Sequence, residues 1–214
     1  MKKCLIVTAY LEGAEQLCFA PSDYDCILCA DGGLPQARKL GLAPDRLIGD
    51  FDSTTRPDPA TEPAAADLVL LPCEKDVTDS EAAVDLAYEQ GFRDITVLGG
   101  LGGRFDHAMG NLGVLAKYLG RTDRLVLEDG YNRVFLLAPG SYTIPKDRFQ
   151  YLGLIAYNGP VDGLSVSGVK YPLSGHRLTA DNTLGVSNQI LRDAAPLSFV
   201  GGTLLVIQSN DVAV

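Results

Sequence analysis

The chain has 214 residues, 46% of them apolar, and carries 27 acidic against 18 basic side chains, the balance of a globular protein with room for a sizeable core. A net charge of −9 argues against a general nucleic-acid binder, which presents a basic face, though not against a nucleotide, because a metal ion can supply positive charge locally. No run of about 18 apolar residues exists to form a membrane span.

The N-terminus, "MKKCLIVTAYLEGAEQ", imitates a signal peptide with its basic start and apolar run. The run breaks at Glu12 with no cleavage site, so "KCLIVTA" reads as a first strand and the protein as cytoplasmic. "DCILCA", "DRLIGD", "DLVLLP" and "DITVLGG" continue as apolar strands. Between them "LPQARKLG" and "DSEAAVDLAYEQG" have helical composition and end in glycine, as helices commonly do. In "DHAMGNLGVLAKYLG" the spacing of Ala108, Leu112, Leu115 and Leu119 is that of one helical stripe. Alternating β and α units predict an α/β domain over residues 1–123, a parallel sheet with helices on both faces.

From Arg124 the pattern changes. "RLVLEDG", "NRVFLLAPGSYTI", "FQYLGLIAY", "GLSVSGVKYPL" and "GTLLVIQS" are strands separated by Gly, Pro, Asn and Asp clusters, which predicts an antiparallel sandwich or barrel over 124–214. The proline-rich segment from Thr54 to Asp67 reads as a surface loop. Five cysteines are an odd count that fits reduced thiols better than a disulfide framework. The Cys26–Cys29 CxxC sits inside a strand rather than at a helix start, so it reads as buried structure.

Ligands of open α/β sheets bind beyond the carboxyl ends of the strands. Those ends supply Asp31 in "CADGG", Asp50 and Asp52 in "LIGDFDS", Lys75, Asp76 and Asp79 in "LPCEKDVTDSE", and Arg104 and Asp106 in "VLGGLGGRFDH". Asp50 and Asp52, two apart in extended chain, point the same way, and paired carboxylates await a cation. Hard oxygen ligands suit Mg²⁺, which joins one or two carboxylates with substrate phosphates. The simpler readings are that Asp31 is a turn residue, that Thr78 caps a helix through a T-x-x-E box with Glu81, and that Asp79 favours the helix dipole. The four glycines of "GGLGGRFDH" let backbone approach a ligand. They match neither GxGxxG nor a P-loop. Arg104 at the exit is a suitable phosphate clamp, and His107 reads as a minor contact.

Together "ADGG" (30–33), "GDFDS" (49–53), "KDVTDSEAA" (75–83), "GGLGGRFDH" (99–107), "GVKYPL" (168–173) and "TLGVSN" (183–188) resemble the thiamine pyrophosphokinase family, in order and nearly end to end. The resemblance implies an α/β nucleotide domain followed by a thiamine-binding β-sandwich, and a homodimer with its active site at the subunit interface. It implies transfer of the pyrophosphoryl group of ATP to the thiamine hydroxyl, giving thiamine diphosphate and AMP. By the same likeness Asp50, Asp52 and Asp79 would hold Mg²⁺. Asp31, Lys75, Asp76, Thr78, Arg104 and Asp106 would surround the phosphates and the reacting hydroxyl, with Gly102, Gly103 and His107 beside the nucleotide. Ser187 and Asn188 would meet the thiamine pyrimidine, with Lys170 and Tyr171 nearby. Two rivals stay open: a Mg²⁺-dependent phosphohydrolase with an aspartate nucleophile, and a non-catalytic sensor of thiamine or nucleotide.

Overall fold

The computed structural model describes residues 1–50, 67–70 and 76–212, so Asp52, Lys75 and, apart from Asp67, the proline-rich segment expected to be a surface loop lie outside the described residues. The chain divides into two compact units, Met1–Gly130 and Tyr131–Val214.

In the first unit β1 (Lys3–Val7), β2 (Cys26–Ala30), β3 (Arg46–Gly49), β4 (Asp67–Leu70), β5 (Asp94–Leu98) and β6 (Arg124–Glu128) pair in the order β4-β3-β2-β1-β5-β6. Every pairing is parallel. The central strands β1, β2 and β5 are buried nearly throughout, as a sheet covered on both faces requires. Leu5, Val7, Ile27, Cys29, Leu47 and Leu98 cluster with Ala37 of α1 (Leu34–Lys39). Ile6, Leu28 and Ile48, which alternate to the opposite face, are equally sealed, and α2 (Asp79–Glu89) packs on β1, β2 and β3.

The predicted cap holds: Thr78 Oγ1 accepts from the Glu81 N–H at 3.2 Å. The Glu81 carboxylate turns instead to Lys117 Nζ at 2.9 Å. The third helix, α3 (Phe105–Tyr118), buries Asn111, Val114, Leu115 and Tyr118. The expected stripe was therefore rotated; Leu115 belongs to it, Ala108 and Leu112 are only half-buried, and Leu119 lies past the last turn. A polar residue, Asn111, occupies the inner face because its amide serves the neighbouring turn.

Arg124–Glu128, assigned by sequence to the second domain, pairs with β5 and belongs to the first unit. Its apolar run resembles a strand of either type, and pairing partners are not written in periodicity.

The second unit contains β7 (Asn132–Leu137), β8 (Gly140–Pro145), β9 (Tyr151–Val166), β10 (Leu173–Leu178), β11 (Ala194–Phe199) and β12 (Gly201–Ser209). Its order is β7-β12-β9-β11-β8, with β10 also on β9, and all pairings are antiparallel. The strands expected at 149–157 and 163–173 merge into one strand of 16 residues, Tyr151–Val166. It pairs with β12 along its first part and with β10 and β11 along its last. Asn158 (φ 56°) and Gly163 (φ 71°) let it bend without ending, so the turn-like "YNGPVDG" is a bend within a strand. Leu152, Leu154 and Ala156 face a core shared with Leu164, Val166, Leu197, Leu204 and Val206.

Cys26 and Cys29 are both buried and free. Three apart on a strand, they point to opposite faces, and burial pushes the Cys29 thiol up to about 12. The pair is structural.

Candidate functional site

The strand order reverses at β1, whose neighbours are β2 and β5. That is the switch point where an open parallel sheet offers a crevice. The segment Thr8–Gly13 leaves β1 there and is fastened on every side. Thr8 Oγ1 donates to the Leu98 carbonyl at 3.1 Å, Gln36 Nε2 donates to the Ala9 carbonyl at 3.0 Å, and the Gly130 N–H donates to the Glu12 carbonyl at 2.8 Å.

Against this segment lies the glycine-rich turn after β5. Gly99 has φ 90°, and a Cβ there would stand 2.4 Å from both Thr8 Oγ1 and the Tyr10 carbonyl. At Gly103 a Cβ would press into the Tyr10 ring at 2.8 Å. The turn is glycine because another backbone and a tyrosine occupy the side-chain space. Its first N–H groups are already engaged: Gly99 donates to the Glu128 carbonyl at 2.8 Å and Gly100 to the Tyr10 carbonyl at 3.2 Å. These two do not face a ligand, contrary to the simplest reading of a glycine-rich turn. Asn111 Nδ2 completes the hold on the Gly100 carbonyl at 2.8 Å.

Register fixes the rim. Ala30 is level with Ile48, so Asp31 is level with Gly49 and Asp50 stands one residue beyond. The turn Asp31–Gly33 packs against β3, and a Cβ on Gly33 would strike the Val7 carbonyl at 2.1 Å. Asp79 opens α2, one of its carboxylate oxygens, Oδ1, being shielded from solvent, while Asp76 and Thr78 are exposed. Among the described residues no three acidic, histidine or cysteine side chains share a metal-sized space. Asp52, the third member of the expected set, is not among them. Asp50, just past β3, and Asp79, at the start of α2, each carry hard carboxylate oxygens.

At the start of α3 the Arg104 Nε donates to Asp106 Oδ1 at 3.1 Å, and its Nη2 to Oδ2 at 2.6 Å. The hydrogen bond from Arg104 holds the Asp106 carboxyl below the usual carboxylate range and raises Arg104 in return. Both side chains are about two-thirds exposed, at 64% and 68%, so the fork can exchange its partner for a phosphate. His107 and Phe105 project into solvent. Tyr10 and Glu12, in contact with the turn, were not singled out from the sequence. Nothing in "AYLEG" signals them until strand order puts them opposite the glycines.

In the second unit the Thr183–Asn188 segment docks on β9. Gly185 is so close that a Cβ would meet the Leu154 carbonyl at 1.9 Å, and its own carbonyl accepts from the Leu154 N–H at 2.9 Å. Ser187 takes a left-handed φ of 58°, a conformation that strains a non-glycine residue and often marks a functional position. Asn188 is buried. Its Oδ1 accepts from the Tyr171 N–H at 3.0 Å and the Gln189 N–H at 2.9 Å, while Nδ2 donates to the Tyr171 carbonyl at 2.8 Å. One amide hydrogen stays available. Lys170 Nζ stands 5.4 Å from the exposed Tyr171 ring. Ser187 lines a cavity of about 370 Å³ with Tyr151, Gly153, Ile155, Val186, Ile207 and Asp211.

Residues 20–127 match the family model described as "Thiamin pyrophosphokinase, catalytic domain", and residues 141–204 match "Thiamin pyrophosphokinase, vitamin B1 binding domain". A Bacillus subtilis relative named thiamine pyrophosphokinase is 34% identical over 183 residues, covering 85% of this chain and 86% of the relative. A crystal structure of the Bacillus subtilis thiamine pyrophosphokinase superposes with a TM-score of 0.85 at 31% identity, covering 99% of this chain and 100% of the other. That of Geobacillus thermodenitrificans gives a TM-score of 0.82 at 34% identity over 99% of both chains.

Proposed function

The chain belongs to the thiamin pyrophosphokinase family, and from that premise we propose that it transfers the pyrophosphoryl group of ATP to the hydroxyl of thiamine, releasing AMP. The supporting observation is the shared rim: parallel register and strand order bring the ends of β2 and β3 and the glycine turn after β5 to one edge of the sheet. A triphosphate bound there meets the start of α2 and Arg104.

In this reading Asp50, Asp52 and Asp79 would hold Mg²⁺, whose chemistry is to neutralise charge on the phosphate oxygens. The chain's own contribution is positioning and fixed charge, which dominate such transfers. Arg104 offers two parallel N–H donors to phosphate. It leaves Asp106, which then stands ionised beside the reacting groups and can accept a proton from the hydroxyl; Asp31 and Asp76 are the other candidates for that proton. Lys75, with the backbone at Gly102 and Gly103 and with Thr78 and His107, lines the nucleotide. The second unit is the thiamine-binding β-sandwich: Ser187 and the remaining Asn188 amide hydrogen meet the pyrimidine, flanked by Lys170 and Tyr171. An acidic protein attracts the cationic vitamin and repels stray polyanions. A cytoplasmic homodimer completes the proposal.

The test is direct. Incubation of the protein with ATP, Mg²⁺ and thiamine, followed by chromatography, is expected to give AMP and thiamine diphosphate over many turnovers. Inorganic phosphate as the sole product favours the phosphohydrolase, and binding without turnover favours the sensor. Sedimentation velocity checks the dimer.

A further inference from the structure

The cavity beside Ser187 has a chemistry of its own. It lies on the outer face of β9 and β12, since its lining residues Tyr151, Gly153 and Ile155 alternate with Leu152, Leu154 and Ala156 of the core. Register sets Tyr151 opposite Ser209 and Gly153 opposite Ile207. Gly153 leaves its floor bare; a Cβ there would sit 3.3 Å from Ile207 Cβ. Glycine inside a strand weakens it and marks places where something must approach the backbone closely. A flat floor between Ile155, Ile207 and Val186 suits a planar ring, and about 370 Å³ falls within the range of small-molecule sites, roughly 300–1,000 Å³.

One carboxylate lines this cavity. Asp211 Oδ2 accepts from the Tyr151 hydroxyl at 3.0 Å. No ion pair is recorded for Asp211 among the described residues. Its place is fixed from the preceding residue. The Asn210 N–H donates to the Tyr131 carbonyl at 2.9 Å, its Oδ1 accepts from the Gln150 N–H at 2.8 Å, and its Nδ2 donates to the Arg148 carbonyl at 3.1 Å. Asn210 is thereby tied down, and the residue after it sets one negative charge on the wall of an otherwise neutral pocket. A wider groove of about 640 Å³ across β8, β9 and β11 is lined by Ser141, Thr143, Ser165, Ser167 and Ser198 and carries no charged side chain. It has no means of selecting a cation.

We infer that Asp211, oriented by Tyr151, is a specificity-determining residue of the second unit, supplying the counter-charge that favours a cationic aromatic ring, the thiazolium of thiamine, over a neutral one. This rests on the reading that the protein binds thiamine. Ser187 and the Gly153 floor take the neutral pyrimidine; the carboxylate of Asp211 meets the charged thiazolium that the vitamin carries beside it. Because Asp211 is exposed, its attraction is screened by salt and is worth a modest factor in affinity.

The experiment compares the full-length protein with Asp211→Asn and Tyr151→Phe, using thiamine and the uncharged fragment 4-amino-5-hydroxymethyl-2-methylpyrimidine. For Asp211→Asn the expected result is a thiamine KM raised roughly 5-fold, with kcat and the KM for ATP unchanged. The inhibition constant of the fragment is expected to be unaltered. The rise of thiamine KM with ionic strength, present in the wild type, flattens in the variant. Tyr151→Phe, which frees the carboxylate to turn away, shows a smaller change in the same direction. An unchanged thiamine KM in Asp211→Asn overturns the inference, as does equal weakening of thiamine and the fragment. If the wild type neither binds nor converts thiamine, the parent reading fails and takes this inference with it, which distinguishes the two failures.

Discussion

The glycine-rich turn of the first unit and the Thr183–Asn188 segment of the second meet one demand in different ways. Each presses a glycine against neighbouring backbone: Gly99 against Tyr10, and Gly185 against Leu154. At the turn the charged side chains stay outside the packing, and Arg104 and Asp106 hold one another in solvent. In the Thr183–Asn188 segment the polar groups are built into the frame, with Asn188 bracketing Tyr171 and Ser187 strained into the left-handed region. The first region is a set of solvent-exposed charges able to change partners, which the proposed transfer would use. The second is a shape fixed in advance, which the proposed binding of a rigid ring would use.

Removing a charge from the first region is expected to have the largest effect. Asp52→Asn is expected to lower turnover by at least ~10²-fold while leaving the fold intact, since metal charge counts most in the transition state. Steady-state kinetics across a Mg²⁺ titration, with circular dichroism alongside, checks it. Wild-type activity at saturating Mg²⁺ removes the metal assignment.

The second region should fail through shape instead. In Gly185→Ala a methyl meets the Leu154 carbonyl at 1.9 Å, so β9 or the segment must move. Overpacking of this kind costs about 1–3 kcal/mol, read as a lowered urea midpoint, and thiamine KM rises as Ser187 and Asn188 shift. The KM for ATP should hold. If ATP and thiamine weaken together, the two regions are not separable as argued. Arg104→Lys returns to the first region with a smaller change, because charge is kept and the planar fork is lost. A fall of roughly 10-fold in kcat/KM for ATP is expected, with the urea midpoint unmoved. Full retention of rate removes the clamp.

The two regions also differ in how far the sequence discloses them. The βα alternation of the first unit was legible because buried parallel strands are continuous apolar runs between glycine-stopped helices, and the Thr78 cap carries a local signature. Arg124–Glu128 was misassigned because a strand's partner is a tertiary fact. Tyr10 and Glu12 were invisible for the same reason: only the order β2-β1-β5 sets them against Gly99–Gly103. In the second unit β11 passed unread, its "AAPLSF" broken by Pro196, which antiparallel pairing with β8 accommodates. Asn188 was singled out, yet its commitment to Tyr171 is a contact across 17 residues. Asp211 gave no signal, since its meaning depends on Tyr151, 60 residues away.

The smallest predicted effect tests whether the Arg104–Asp106 pair serves stability or availability. The hydrogen bond from Arg104 holds the Asp106 carboxyl below the usual range. Any stability it lends is therefore present above the ordinary carboxylate pKa and disappears as pH falls through the lowered folded value. Both groups are largely in solvent, where screening leaves such pairs little influence on folding. Asp106→Asn should thus leave the neutral-pH urea midpoint unmoved, and its acid unfolding curve should overlay that of the wild type. The pairing should still be visible locally: the Arg104 side-chain N–H resonance should shift on acidification with a midpoint below that of an ordinary aspartate, and the variant should lack the transition. A large loss of stability in the variant would make the pair a structural brace like the Asn188 bracket, and the contrast between the two regions would dissolve at that point.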